Sequence, residues 1–447
     1  MRESRSGRKA TAKTVAGAND ACGRGFSRIN MALIGARPPS YGACAHPGHA
    51  NETGEHVEMT SKSVKSSLET QRAAKAFTRR TVLKGAAAAG AVVAAGPAIV
   101  KDAFSSSGEI NIMMWSDYLP ESFTKAVMDK TGIKINFTGI GSNEELLNKL
   151  KASKGQGYDI VSPTNDRAPQ WEVEGLVQPI DMKRVAIDKV NPAMAKIGDD
   201  LWNFGGKGSH WLPHIWGTEG IAWRTDKWKP KGQFPSYGDV WSDENSGKTM
   251  GRPHSMMLCA GLYMETIGEL KPGSMWAGYK DEGAMRKAWE TVTAWCIKNK
   301  KNVKILWNDG DTQKNGLMNE GVIVGQTWDG PPLALKSAGE PVMYRAPKEG
   351  AMAWVDGMAI PTGAKNIDQV YAFIEVAYDA AAAGKAIDTH GYNSPVLGAD
   401  KFASEQYAKN FSDAYPGDAL ANLNPWPPTQ PWYSDVRTEY VNKFESA

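Results

Sequence analysis

The chain has 447 residues, with 52 Lys plus Arg against 49 Asp plus Glu, 41% apolar residues, 16 Trp and four Cys. That length accommodates two to three domains of about 150 residues each, too much for a disulfide-stapled miniprotein, and 23% charged residues with a mean hydropathy of −0.43 exclude a polytopic membrane protein. Residues 1–100 hold 15 basic and 6 acidic residues, leaving 37 and 43 beyond them, so the body is net acidic and lacks the basic face that a nucleic-acid binder carries.

Residues 1–58 are rich in Gly, Ala, Ser, Arg and Pro without helical or strand periodicity, and translation is expected to start at Met59. Cys22 and Cys44 then drop out of the mature protein. Phe77-Thr78-Arg79-Arg80-Thr81-Val82-Leu83-Lys84 precedes 16 uncharged residues, Gly85 to Val100, rich in Ala, Gly and Val. A basic start, a short weakly apolar stretch and small residues near its end describe a cleavable export signal. The paired arginines give it the form of a twin-arginine signal over 59–103, cleaved after Ala98 or Ala103.

Beyond it, strands and helices alternate. Glu109 to Trp115 reads as a buried strand, Pro120 to Lys130 as a helix and Lys134 to Phe137 as a second strand. Ser142-Asn143-Glu144-Glu145 has the form of a capping box opening a helix to about Ser153, and Tyr158 to Val161 is a third strand. This order predicts a parallel sheet covered by helices, with ligands beyond the carboxyl ends of its strands. A second block begins after Ile221-Ala222-Trp223-Arg224, with a helix from about Gly283 to Lys298, strands at Val303 to Trp307 and Val322 to Trp328, and a helix from Ile367 to about Tyr378. The expected fold is α/β: two lobes interleaved along the chain, 104–222 with 356–400 and 223–355 with 401–447, each a mostly parallel sheet flanked by helices.

Signatures of catalysis are missing from the body. It has no phosphate-binding Gly-Lys loop, no Gly-x-Ser-x-Gly and no His-Glu-x-x-His. His210 and His214 have helical metal-pair spacing, but Pro213 lies between them and the flanks read as strand. Cys259 near His254 sits among Met256, Met257 and Leu258, the surroundings of a structural thiol; whether it pairs with Cys296 depends on a separation that sequence does not give. No cofactor or metal is expected.

What recurs is indole beside acid or hydroxyl: Trp115 with Ser116, Asp117 and Tyr118, Trp328 with Asp329, and Trp354 with Asp356, with Tyr392 in a loop nearer the C-terminus. Most Trp side chains fill cores. Three indoles each followed within two residues by an acid suit instead an organic cation with a hydrocarbon body, since a desolvated cation–π contact contributes about 0.5–2 kcal/mol.

These residues resemble the spermidine/putrescine-binding periplasmic proteins of ABC transporters. The resemblance lies in Trp115-Ser116-Asp117-Tyr118-Leu119-Pro120, Tyr158 to Thr164, Leu212-Pro213-His214-Ile215-Trp216-Gly217-Thr218, Gln326-Thr327-Trp328-Asp329-Gly330, and Pro347-Lys348-Glu349-Gly350 through Asp356 to Pro361, in order from Glu109 to the C-terminus. It implies a periplasmic two-lobed clamshell with several hinge crossings, a polyamine-like solute between the lobes, and an inner-membrane permease as partner, with monomer as the default state. Trp115, Ser116, Asp117 and Tyr118 would form one wall with Thr164; Trp328 and Trp354 would clamp methylenes; Asp356 would bind an ammonium and Tyr392 would close the pocket. Where the family places second-lobe carboxylates, this chain has Arg252-Pro253-His254-Ser255-Met256-Met257. Asp166, Glu219 or Asp329 is expected to compensate, or Arg252 receives the carboxylate or phosphonate of a different amine or amino-acid-like solute. An exported redox enzyme is the disfavoured alternative.

Overall fold

The computed structural model describes residues 108–447. The expected extension over 1–58, the twin-arginine segment over 59–103 with its cleavage sites, and Cys22 and Cys44 lie outside the described residues.

The first sheet comes from the start of the described chain: β1 (Glu109–Trp115), α1 (Glu121–Thr131), β2 (Lys134–Ile140), α2 (Asn143–Ala152) and β3 (Ile160–Val161). Its order is β2-β1-β3 and both pairings are parallel. Gly132 ends α1 in the left-handed region at φ 71°. At α2, Ser142 Oγ accepts from Glu145 N at 3.0 Å as a cap should, but the Glu145 carboxylate reaches past Ser142 to Gly141 N at 2.9 Å. Only two residues of the strand expected over 158–161 pair, for a local reason. Asn111 N donates to the Asp159 side chain at 2.9 Å, where a ladder would use a carbonyl, and the same carboxylate accepts from Lys365 N and Asn366 N.

A connecting stretch follows, with α3 (Ala168–Glu174), β4 (Val177–Gln178) and α4 (Pro192–Leu201). Then comes β5 (Leu212–Arg224), 13 residues buried from end to end. It is the spine of a second sheet with β6 (Thr249–Gly251), β7 (Val303–Leu306), β8 (Val324–Trp328), β9 (Val342–Arg345), β10 (Met352–Met358) and, beyond β11 (Ile360–Pro361), β12 (Asn424–Pro425). The order is β12-β10-β5-β8-β6-β7, with β9 also on β5 and β11 paired separately with β4. β6 runs parallel to β7 and β8, and β10 to β12, whereas β5 is antiparallel to β8, β9 and β10. The parallel strands are joined through α5 (Pro253–Thr266), α6 (Ser274–Ala277), α7 (Glu282–Asn299) and α8 (Gly310–Met318). α9 (Gly330–Ser337) follows β8, and the chain closes with α10 (Ile367–Ala377), α11 (Ala380–His390), α12 (Glu405–Ala414) and α13 (Pro431–Ser446).

Packing interleaves distant parts of the chain. Strand alternation sends Ile110, Ile112 and Met114 of β1 into one core with Phe123 and Val127 of α1, Phe373 and Ile374 of α10, and Ile387 of α11. Met113 and Trp115, on the other face, join a second core that also gathers Met257 of α5, Trp289 and Val292 of α7, and Val436, Tyr440 and Phe444 of α13. Cys259 and Cys296 are free thiols buried within it.

Candidate functional site

Directly opposed residues of an antiparallel pair share a face of the sheet. β10 sets Trp354 opposite Gly217 and Asp356 opposite Ile215 on β5, and β8 sets Trp328 opposite Glu219. Since 217 and 219 are two apart, as are 354 and 356, Trp354, Asp356, Glu219 and Trp328 stand on one face. Gly217 gives the indole room there: a Cβ would come within 2.5 Å of Trp354 Cζ2. The register slips between Asp356 and Gly357, a bulge of the kind that re-aims a side chain. The loop from Trp115 to Tyr118, leaving the carboxyl end of β1, meets this face. There lies a solvent-connected cleft of about 620 Å³, lined by Trp115, Ser116, Asp117, Tyr118, Thr164, Glu219, Arg252, Trp328, Trp354, Asp356 and Tyr392, with Thr164 bridged directly to Asp356 through the backbone.

One end of the cleft suits an ammonium. Asp356 is 2% exposed; its Oδ2 accepts from the Tyr118 hydroxyl, and its Oδ1 has no partner in hydrogen-bond geometry, although the Thr164 hydroxyl lies close enough to lower the carboxyl against the effect of burial. Burial pushes this carboxyl up to about 7. Around it, the Tyr392 ring stands 5.5 Å from Trp354 and 5.7 Å from Tyr118, near perpendicular to both. Trp354 Nε1 is buried and unpartnered as well. A carboxylate with a spare lone pair inside an aromatic box can hold a cation by hydrogen bonds of about 1.5–3 kcal/mol each and by ring contacts.

The other end carries Arg252, the residue before α5 at the carboxyl end of β6. Its backbone N donates to Gln326 Oε1 at 2.8 Å, and Gln326 Nε2 donates to Glu219 Oε2 at 2.7 Å, so one amide places both charged residues. The guanidinium lies 5.2 Å over the Trp328 ring and 6.0 Å from that of Trp115. Trp115 in turn meets Trp328 edge to face at 5.8 Å. Burial raises the Glu219 carboxyl, with the charge of Arg252 opposing that rise.

Ten of the eleven residues singled out in the sequence line this cleft, but not all face it with free groups. Ser116 Oγ donates to Ile140 O at 3.2 Å at the exposed mouth. Thr164 Oγ1 accepts from Asn143 Nδ2 at 2.7 Å. Asp166 accepts from Thr429 Oγ1 at 2.8 Å and pairs with Arg167 at 3.2 Å, so its carboxylate is engaged. Asp329 is the exception. It is absent from the cleft lining: its carboxylate packs over Gly217 next to the Trp354 ring, accepting from Tyr415 OH at 2.9 Å, Asn393 Nδ2 at 3.1 Å and Gly330 N at 3.1 Å. Of the three acids expected to compensate for the missing second-lobe carboxylates, Asp166 and Glu219 line the cleft, and Glu219 is the one whose charge acts on Arg252 most. Asn143, Asp309 and Trp426 also line it, with nothing in their local sequence that marked them for binding, as does His254 from the stretch where the family places carboxylates.

Beside the cleft, one carboxylate joins α2 to α13. Glu144 Oε1 accepts from Arg167 Nη1 at 2.9 Å and from Arg437 Nη2 on α13 at 2.7 Å. Partial burial opposes ionisation, yet the two guanidiniums hold the Glu144 carboxyl well below its usual range.

The chain matches the family described as bacterial extracellular solute-binding protein over residues 121–412. It is 26% identical over 338 residues to the spermidine/putrescine-binding periplasmic protein of Escherichia coli, covering 74% of this chain and 90% of that one. With spermidine/putrescine-binding periplasmic protein 1 of Haemophilus influenzae it shares 26% over 335 residues, 74% of this chain and 86% of the relative. A solved spermidine/putrescine ABC transporter substrate-binding protein from Streptococcus pneumoniae has the same fold, with a TM-score of 0.59 at 22% identity over 76% of this chain and 99% of that one. The fold is therefore that of two-lobed periplasmic binding proteins, and the relatives are solute-binding transport proteins rather than enzymes. The chain belongs to the bacterial extracellular solute-binding protein family.

Proposed function

We propose that the protein is the periplasmic substrate-binding component of an ABC importer, capturing a small amine-bearing solute of the polyamine kind and delivering it to an inner-membrane permease. The lobes are drawn as 104–222 with 356–400 and 223–355 with 401–447, closing by hinge motion. The protein acts as a monomer, and the Arg79-Arg80 segment exports it by the twin-arginine route. The observation that carries the reading is the unpartnered Asp356 Oδ1 within the box of Tyr118, Trp354 and Tyr392. Trp115 and Trp328 supply apolar wall for a methylene chain, with Asp117, Ser116, Thr164 and Asp166 at the rim and back. The names of the relatives, which bind spermidine and putrescine, support the same class.

A thermal-shift and calorimetric panel tests it. Amines with a hydrocarbon chain should raise the melting temperature, since a ligand at 100 times its Kd stabilises by about 2.7 kcal/mol. Polyols and simple anions should leave it unchanged. A panel in which no amine binds refutes the reading. Replacing Arg79 and Arg80 by Lys should keep the protein out of the periplasmic fraction; unchanged export would refute the proposed route.

A further inference from the structure

Four arginines are buried among the described residues. Three are neutralised: Arg167 and Arg437 by Glu144, and Arg224 by Asp226, all at 2.9 Å or closer. Arg252 is 6% exposed and has no carboxylate within ion-pair distance. Its Nη2 donates to Gly141 O at a long 3.3 Å, and its Nε has no partner. A buried donor of a charged group left unmade is costly, and this one belongs to a side chain lining the cleft. It also precedes the first turn of α5, a 14-residue helix whose leading N–H groups and dipole favour negative charge. Arg252 further covers one face of Trp328 and approaches Trp115, placing a like charge where a second ammonium would stack and leaving the other indole surfaces to apolar contact. Glu219 and Glu144 offset that charge from beyond ion-pair range, while Glu219 Oε2 is taken up by Gln326 and the Glu144 carboxylate by Arg167 and Arg437.

We propose that Arg252 makes this end of the cleft an anion subsite, so that the preferred solute carries an ammonium at Asp356 and a carboxylate, or a phosphonate in its place, at Arg252, joined by a short hydrocarbon chain. The inference rests on the reading of Asp356 as the amine site and refines which amine is taken. A guanidinium matches a carboxylate through paired N–H donors, which a diamine cannot exploit.

The test is calorimetry of the exported, processed protein against matched series of ω-aminocarboxylates, ω-aminophosphonates and α,ω-diamines of equal chain length. For the wild-type protein, at least one anion-bearing amine should bind tenfold or more tighter than the diamine of its length. Arg252→Gln should weaken that ligand tenfold or more and strengthen the diamine. Arg252→Lys, which keeps the charge but loses the fork, should fall between them. A wild-type preference for diamines overturns the inference while leaving the amine site standing, as does an Arg252→Gln change that is equal for both classes. If neither class binds, the amine site itself fails and this inference with it. The wild-type order of affinities decides the matter even where a variant folds poorly.

Discussion

Replacing Asp356 by Asn probes the amine end with little change in shape. The amide oxygen still accepts from Tyr118, but the charge facing an ammonium is gone. A hydrogen bond to a charged partner contributes about 1.5–3 kcal/mol, so affinity for 1,4-diaminobutane or 4-aminobutanoate should fall by about 10- to 150-fold. The pH profile gives a second reading. The empty site holds its carboxyl near 7, whereas a ligand amine stays charged to about 10. Wild-type affinity should therefore drop as pH falls below about 7, approaching tenfold per pH unit, while the Asn variant should stay flat from pH 5 to 8. Stability should move the opposite way. The same carboxyl ionises at 3.8 when unperturbed and near 7 in the fold, so the unfolded chain releases its proton first and wild-type stability falls as pH rises through that window. At about 1.4 kcal/mol per pH unit, the cost reaches up to about 4 kcal/mol above pH 7. The ligand-free Asn variant should melt higher than wild type at pH 8, with the advantage gone by pH 4. Calorimetric titrations at four pH values and melts of the free protein read all three effects. A variant that binds as tightly as wild type, or wild-type affinity that is flat across pH 5 to 8, would refute the reasoning.

Other perturbations address the walls and the clamp. Trp354→Ala should weaken amine binding by about 2 kcal/mol in calorimetry; unchanged affinity would remove the indole from the site. Gly217→Ala should cost about 1–3 kcal/mol in melts, as overpacking does, and loosen binding by displacing the Trp354 ring, which a Cβ would meet at 2.5 Å together with the Asp329 carboxylate. Gly330→Ala should act similarly through Tyr392, whose ring would lie 2.4 Å from the new Cβ; wild-type affinity in both variants would show that ring placement is immaterial. Glu144→Gln removes the carboxylate shared by Arg167 and Arg437, so the ligand-free protein should become more open, read as a larger radius of gyration in small-angle scattering. Because the Glu144 carboxyl is held low, its contribution to stability is present above the usual carboxylate range and lost on acidification; an acid-unfolding profile identical to wild type would contradict that role.

The alternation of apolar runs and capped helices from Glu109 to Val161 determined the first sheet, because hydrophobic period and capping chemistry are local and act before any long-range contact. The recurrence of Trp beside Asp likewise marked most of the cleft from sequence, since residues two apart on a strand share a face wherever the strand lies. Tertiary structure decided the rest. Asp329 looked equivalent to Asp356, but it sits one residue rather than two beyond its Trp and turns toward Tyr415 and Asn393. Glu219 and Asn143 enter the cleft through pairing with segments about 110 and 20 residues away, which no local pattern records. Whether Arg252 met a carboxylate depended on where Glu144, Asp166 and Glu219 found their own partners. That competition for a few buried charges is settled only when all the strands have packed.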